Sequence, residues 1–409
     1  MTRIAWGRVP AAIGGYTFSR ERLMVYLIAL VLLPLGFVGV LAAITPETTD
    51  FGCHWIGPRL LLDGRDPYSL ADWSAATSGV SVDVLGRLRT GNCGLAYGYP
   101  ITTAVALLPL AALPLQLAAV IWELGIFICA GLGVALLAKA AAFTRLRALV
   151  LGLVVVSSQM FYLTVLNAQF GGLQLLAVGL LAVPDRGWLR TTAGLFVVAL
   201  KPHVLTLTPL ARAVTMSRRA LVAAGVVGGA FLLASVAIQP GWIASWTAEL
   251  GGYRREMFGA TLSLWTLERI ANAPGLAVAV IVPTLAVLAF AWWRTRPLSQ
   301  LEALALAAIA WTVVVPYGLS HDHLAPIALT ATVALNTAKD QRSSLLSIFL
   351  AVIVVVIPWL LYLGKDLSPW PGGGLEVLNA IVPVAVALLL AAALLSRRIG
   401  QRIAGYPRG

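Results

Sequence analysis

Charged side chains are scarce in this chain. Only 11% of its 409 residues are Asp, Glu, Lys or Arg, whereas 59% are hydrophobic, and a soluble globular domain averages about 25% charged residues. An aqueous fold cannot hide that much apolar surface, so the composition excludes a water-soluble globular protein. With a mean hydropathy of +0.88, the sequence predicts an all-α, polytopic membrane protein.

The sequence also lacks the common nucleotide-binding motifs. It contains no Walker-type glycine loop, no Rossmann fingerprint and no zinc-protease helix motif. These absences argue against a nucleotide-consuming cytoplasmic enzyme, so we expect the substrate to be delivered within the membrane and we expect no cofactor.

Long apolar runs separated by short basic loops fill most of the chain. The first run, residues 23–44, contains no charge and exceeds the about 20 residues that cross a hydrocarbon core. It is too long for the apolar core of a signal peptide, about 7–15 residues, which indicates a retained anchor. The net charge of +12 lies in the loops rather than on one face, which argues for a topology signal and against nucleic-acid binding.

The basic clusters orient the chain through the positive-inside rule. We expect about 12 crossings, with residues 1–21 and the C-terminus in the cytoplasm and one membrane domain over residues 1–409. Residues 100–114 are expected not to cross. The segments expected outside are the first outer loop with amphipathic helices, the second long outer loop and two short turns: 45–99, 239–273, 320–323 and 364–376.

Unusual polar residues gather on the outer side of this topology. An ionisable group at a helix centre in the bilayer costs about 2.5–3.5 kcal/mol, and such groups are usually functional. One outward-facing site is therefore expected, formed by Asp50, His54, Gln169, Lys201, His203, Arg254, Arg255, His321, Asp322 and His323.

Two of these segments have competing interpretations. Asp50 and His54 are four residues apart and share one face of a helix, with Asp50 either a catalytic base or only a helix N-cap. Lys201-Pro202-His203 interrupts an apolar run, because proline breaks the helix. The break beside two potential cations predicts an anion site, and the alternative is a kinked helix whose Lys201 reaches the interface.

Two further groups of residues are ambiguous in the same way. The imidazoles of His321 and His323 can bind metal, move protons or donate hydrogen bonds, but neighbouring residues point apart on a helix, so we expect no metal site. Arg254 and Arg255 lie among aromatic residues that either stack on sugar rings or anchor the chain at the interface: Trp242, Trp246, Tyr253 and Trp265.

The three cysteines leave one open question. Cys53 and Cys93 both fall in the first outer loop, and Cys129 falls in an apolar run. A bridge between the first two would contribute on the order of 4 kcal/mol in an oxidising exterior. The alternative is two free thiols.

Six segments in order resemble a known family. They are TTDFGCHWIGPRLLLDGRDPYS, YGYPITTAVALLPLAALP, VLNAQFGGLQLL, ALKPHVLTL, SLWTLERI and YGLSHDHLAPIAL, spread over residues 45–330. The chain resembles the polyprenol-phosphate-mannose-dependent α-(1→2) mannosyltransferases of the C-type glycosyltransferase superfamily, and the resemblance implies their fold. It also implies that Asp50 is the catalytic base, that Gln169 matches the glutamine of a Gly-Gln-x-Asn motif, that Lys201 matches a Lys-Pro lysine, and that His321 or His323 matches a histidine pair.

The sequence departs from that pattern at several places. Tyr99-Pro100-Ile101 stands where the family has Tyr-Pro-Pro, and Ala168 stands where it has glycine. The asparagine of the Gly-Gln-x-Asn motif is absent from its position, and His-Asp-His replaces His-His.

The expected function is transfer of a sugar, mannose first, from a polyprenyl-phosphate donor to a glycolipid or polysaccharide acceptor, by a monomer in the plasma (inner) membrane with its site facing outside. Asp50 deprotonates the acceptor, Lys, Arg and His groups balance the leaving phosphate, and displacement inverts the anomeric centre without metal. The alternatives are a transporter or flippase of lipid-linked sugars and a non-catalytic subunit of a cell-envelope assembly complex.

Overall fold

The computed structural model describes residues 12–13, 16–17, 19–78, 81–82, 89–90, 97–184, 187–257, 263–316, 318–337, 349–364 and 375–404. Two small antiparallel hairpins occur in these residues, pairing Ala12–Ile13 with Tyr16–Thr17 and Ser81–Val82 with Arg89–Thr90. All other regular structure in the described ranges is helical.

The first half of the chain forms ten α-helices within the described residues. They are α1 Arg20–Ile44, α2 Asp50–Leu62, α3 Leu70–Thr77, α4 Ile101–Ala111, α5 Leu115–Ala140, α6 Arg145–Val156, α7 Gln159–Leu166, α8 Gly171–Ala182, α9 Trp188–Leu200 and α10 Thr208–Ala213.

Eight more α-helices follow, again counting only what is described. They are α11 Arg218–Ile238, α12 Trp242–Met257, α13 Leu264–Ile270, α14 Leu276–Thr295, α15 Gln300–Val314, α16 Leu324–Thr337, α17 Ile357–Leu363 and α18 Val382–Ala404. A π-helical stretch, Val352–Val356, precedes α17, and 3-10 turns form at Pro46–Thr48, Ser320–His323 and Leu375–Ile381.

Several helices are long and apolar enough to cross a membrane. Five qualify in the described residues, α1, α5, α11, α14 and the segment Leu378–Ser396, and the bent pair α6 and α7 makes a sixth if it counts as one span. The protein is therefore a polytopic, all-α membrane protein. The expected number of about 12 crossings is not reached by these helices and stays a prediction. Five more apolar helices have only 10–17 residues.

Two of the shorter elements show how the sequence limits helix length. Residues 100–114 contain α4, whose 11 residues extend about 16 Å at 1.5 Å per residue, roughly half the hydrocarbon thickness. Helices α6 and α7 meet at an angle of 58° because Ser158 caps α7 by accepting a hydrogen bond from the Phe161 amide. The Ser157 carbonyl at this bend accepts from Trp359 Nε1 at 2.8 Å.

Glycines bring α5 and α8 into backbone contact. A Cβ at Gly172 would lie 2.4 Å from the Ile126 carbonyl oxygen, and one at Gly133 would lie 2.6 Å from that of Leu175. Gly179 faces the Gly133 carbonyl in the same way. Small residues of this kind let membrane helices approach closely, and both helices contribute buried residues to the main hydrophobic core.

The segment expected to form the first outer loop packs back onto α4 through α2. Helix α3 buries only Trp73, as an amphipathic helix does, whereas α2 buries eight of its 13 residues and is thus more enclosed than the predicted amphipathic helix. Cys53 on α2 is disulfide-bonded, and Cys129 is a free thiol. Cys93, its predicted partner, lies outside the described residues.

Candidate active site

Four chain segments that are far apart in sequence meet at one polar cluster. It consists of Asp50 at the start of α2, Gln169 between α7 and α8, Lys201 at the end of α9, and the His321-Asp322 pair in the 3-10 turn before α16. We call these five residues the polar cluster.

Local capping places Asp50 in the cluster. Thr49, not Asp50, caps α2, since its hydroxyl accepts a hydrogen bond from the Phe51 amide at 3.2 Å. The N-cap interpretation of Asp50 is therefore wrong. Its carboxylate instead accepts a hydrogen bond from Gln169 Nε2 at 2.5 Å, and the residue remains partly exposed.

A tight turn after α7 presents Gln169. Ala168 has φ +50°, in the left-handed region that favours glycine, which gives a physical reason for glycine at this position in the family that the sequence resembles. Two hydrogen bonds hold the turn: Trp122 Nε1 donates to the Ala168 carbonyl at 2.7 Å, and the Gln169 amide donates to the Thr164 carbonyl at 2.8 Å.

The end of α9 is buried rather than interfacial. The helix stops at Leu200, whose carbonyl accepts from Thr103 Oγ1 at 2.7 Å, and the His203 carbonyl accepts from Trp311 Nε1 at 2.6 Å. The backbone groups freed by the Lys201-Pro202 break therefore find partners inside the protein. Lys201 is only 3% exposed, so the alternative in which it reaches the interface is wrong.

Lys201 connects the cluster. Its Nζ donates to Asp322 Oδ1 at 2.7 Å and to Gln169 Oε1 at 2.9 Å, and it lies 3.4 Å from His321 Nε2. Gln169 thus turns its carbonyl to Lys201 and its amide NH₂ to Asp50. The other oxygen of Asp322 accepts from the Leu319 amide at 3.0 Å, which fixes this carboxylate at the start of the turn.

The surroundings set the charges of the cluster. Burial raises the pKa of Asp50, while the Gln169 hydrogen bond and the Lys201 charge oppose that rise. Burial also acts to raise the pKa of Asp322, but Lys201 and His321 hold it well below the usual range. Burial lowers the pKa of His321 to about 3 and that of His323 to about 4, so both imidazoles are neutral at pH 7.

His54 lies among aromatic side chains next to the polar cluster. Its ring centroid lies 4.8 Å from that of Tyr99, 4.9 Å from that of Phe170 and 6.2 Å from that of Trp122. Neither ring nitrogen has a hydrogen-bond partner within the described part of the chain. Tyr99 joins this group to the cluster because its ring lies 5.9 Å from Lys201 Nζ.

The remaining predicted residues have different places. His203 Nε2 lies 3.8 Å from Asp322 Oδ2 at the edge of the cluster, and His323 is buried. The side chains of Arg254 and Arg255 lie outside the described residues, as does that of Tyr253. Trp246 and Trp265 donate their indole N–H groups to the carbonyls of Gly98 and Val314, so they tie helix and loop ends together inside the protein.

Two site features escaped the sequence reasoning. The pairing of Asp322 with Lys201 was not predicted, although Asp322 lies between the two histidines that were. Trp122 and Phe170 lie in apolar runs that carry no local signal.

Metal ligation is not favoured by the geometry, since no group of three His, Cys, Asp or Glu side chains in the described ranges is placed to hold an ion.

The fold and the polar cluster define a polytopic membrane protein with a buried, charged site where several helices end. The family model of Glycosyltransferase family 87 matches residues 97–319, more than half of the chain. The protein belongs to this family and is a membrane glycosyltransferase. The match includes Gln169 and Lys201, and it ends before His321 and begins after Asp50. No curated protein sequence matches the chain, and no solved structure matches it.

Proposed function

We propose that this glycosyltransferase moves a sugar, with mannose as the first candidate, from a polyprenyl-phosphate donor to a hydroxyl of a glycolipid or polysaccharide acceptor on the extracytoplasmic face. The observation that carries the proposal is the hydrogen-bonded chain from Lys201 through Gln169 to the carboxylate of Asp50, a residue that is only partly buried. Such a chain orients a base without blocking its access to an acceptor.

The reaction is a single displacement. The acceptor hydroxyl gives its proton to Asp50, its oxygen forms a bond to the anomeric carbon, and the bond from that carbon to the phosphate oxygen breaks. The electron pair of the broken bond leaves with polyprenyl phosphate. Attack opposite the leaving group inverts the anomeric centre, so a β-linked donor gives an α-linked product.

Burial and the hydrogen bond from Gln169 together make Asp50 suitable as the base. Burial raises the pKa of Asp50, which makes its carboxylate a stronger proton acceptor than an exposed one. The Gln169 amide stabilises the charged form and fixes which oxygen remains available. Lys201 determines the orientation of that amide because it occupies the carbonyl oxygen of Gln169.

The leaving phosphate requires an exchange of partners at Lys201. An ammonium group has three N–H donors, and Lys201 has three groups within 3.4 Å that can accept them. Of these three groups, His321 is neutral and lies farthest from Lys201 Nζ, so the phosphate can replace it at the smallest electrostatic cost. His321 and His203, both predicted to bind substrate, then act as hydrogen-bond donors. The expectation that an imidazole at His321 or His323 balances charge does not fit their lowered pKa values.

The test compares the aspartate that begins α2 with the aspartate that follows its last residue. Asp50→Asn keeps the shape of the side chain and removes the proton acceptor, so we expect turnover to fall about 10²–10⁴-fold. Asp63→Asn, at the exposed C-terminal end of α2, is the matched control and is expected to keep wild-type turnover. Both proteins are assayed in lipid nanodiscs with several polyprenyl-phosphate sugars and a lipid-extract acceptor, and products are read by mass spectrometry.

The outcomes separate the parts of the proposal. More than about a tenth of wild-type turnover in Asp50→Asn contradicts the base role. Transfer from a sugar other than mannose corrects the donor and leaves the base role intact. The transporter and assembly-subunit alternatives gain no support from the polar cluster and are contradicted by any turnover that depends on Asp50.

A further inference from the structure

A second polar site lies at the opposite end of α9 from Lys201. A cavity of about 190 Å³ opens there, lined by the ends of α8, α9, α10, α11 and α15 at Pro184, Thr191, Arg212, Thr215, Ser217, Ala220 and Gln300. By the same measure one water needs only about 10–15 Å³, so a small polyatomic anion fits. Thr191 and Lys201 are ten residues apart, about 15 Å along a helix, so this cavity is separate from the polar cluster.

The feature that points to a ligand is Arg212. Its side chain lines the cavity, and the residue is only 4% exposed. Its Nη1 donates to Thr215 Oγ1 at 3.0 Å and its Nη2 donates to Thr191 Oγ1 at 3.2 Å, but its Nε has no acceptor in the described part of the chain. Both partners are neutral hydroxyls.

No carboxylate of the described residues forms an ion pair with Arg212. Among the described residues the ion pairs of Asp and Glu all involve other cations. The positive charge of Arg190 acts unfavourably on Arg212. A buried guanidinium without a counter-ion is costly, and a bound anion would remove that cost.

The cavity walls supply further groups that favour an anion. The 21-residue α11 begins at its edge, with Ser217 as N-cap, and a helix N-terminus attracts negative charge. Exposed Arg218 and Arg219 follow directly. The hydroxyls of Thr191 and Ser217 can donate to oxygens of one ligand, whereas that of Thr215 already donates to the Arg212 carbonyl at 3.1 Å.

We propose that this cavity binds a phosphate group, with the planar fork of N–H donors on the Arg212 guanidinium contacting its oxygens. Arginine presents this planar fork to phosphate oxygens, and lysine cannot. A phosphate group has enough acceptor oxygens to use the hydroxyls and the helix end as well.

Two sources of that phosphate group are separable by experiment. Apolar residues beside the lining ones, Leu210, Val214 and Leu221, are exposed and suit the acyl chains of a phospholipid. The helix ends around the cavity also lie beside the basic turns that are expected at the cytoplasmic surface, where headgroup phosphates and free phosphate are both present.

The experiment measures saturable ligand binding to the purified full chain in a neutral detergent. One arm titrates inorganic phosphate against sodium chloride of equal ionic strength and follows thermal unfolding. The other titrates a short-chain phosphatidylglycerol against the matching diacylglycerol, with native mass spectrometry to count bound lipid. Saturation by phosphatidylglycerol alone identifies a lipid headgroup, and saturation by both identifies the phosphate group itself.

Matched arginine-to-lysine variants test the site. Arg212→Lys keeps the charge and the length, so it is expected to fold and to bind at least about tenfold more weakly. Arg219→Lys, an exposed neighbour on α11, is expected to bind like wild type. Absence of saturable binding in both arms, wild-type affinity in Arg212→Lys, or equal weakening in Arg219→Lys overturns the proposal.

Discussion

Replacing Lys201 by Met will leave the carboxylate of Asp322 buried without its cation. The two side chains are 4% and 6% exposed and 2.7 Å apart, and breaking a buried pair of this kind costs about 3–5 kcal/mol. In the same way, Asp322→Asn leaves the ammonium group of Lys201 buried without its carboxylate partner. In the double variant neither charge remains, so we expect the loss of unfolding free energy to fall well below the sum of the single losses, with a coupling of about 2–3 kcal/mol.

Reversible denaturation in mixed micelles measures these unfolding free energies. The matched control is the Arg65–Asp72 pair, which is nearly as short at 2.9 Å but 40% and 31% exposed. Exposed pairs contribute about 0–1 kcal/mol, so Arg65→Met should cost little. Additive losses in the Lys201→Met, Asp322→Asn double variant would show that the two residues do not form a coupled pair. A cost at Arg65 equal to that at Lys201 would show that burial is not the cause.

Three further predictions concern activity and sidedness. We expect kcat/KM to fall as the pH is lowered through the pKa of Asp50, because transfer needs its charged form. In Gln169→Leu that fall should begin at higher pH, since the variant loses a donor that stabilises the carboxylate. The control is Gln174→Leu, which replaces a buried glutamine that donates to the Val197 carbonyl and should keep the wild-type pH profile. Identical profiles in the wild type and both variants would refute the link between Gln169 and Asp50. Transfer should survive EDTA, and loss with rescue by Mn²⁺ or Mg²⁺ would revive the metal interpretation of the histidines. Single cysteines introduced at Ala71 and Thr247 in a Cys129→Ser background should react with an impermeant maleimide added from outside. Cysteines at Thr144 and Ser299 should react only after permeabilisation. Reversed labelling would place Asp50 in the cytoplasm.

The sequence was sufficient to predict that Asp50, Gln169, Lys201 and His321 lie close together. The positive-inside rule places the ends of their spans on one side of the membrane, and polar residues are rare enough at such ends to stand out. The structure joins these residues through direct hydrogen bonds. Their order in the network, with Gln169 between Lys201 and Asp50, depends on rotamers and turn geometry that spacing does not encode.

Other parts of the fold were beyond sequence reasoning for physical reasons. Whether Thr49 or Asp50 caps α2 is decided by one backbone dihedral, since both residue types are good caps. In the His-Asp-His segment the 3-10 turn selects Asp322 to pair with Lys201, and no periodicity marks that choice. The number of crossings depends on helices of 10–17 residues, which hydropathy alone cannot assign as spanning or partial.

The glycine contacts between α5 and α8 limit how a substrate can reach the polar cluster. At Gly172 and Gly133 the two backbones touch with no side chain between them, and α8 begins two residues after Gln169. A hydrocarbon tail cannot pass through that seam without forcing the helices apart and displacing Gln169 from Asp50. For a lipid-linked substrate, the path to the polar cluster must therefore avoid the contact between α5 and α8.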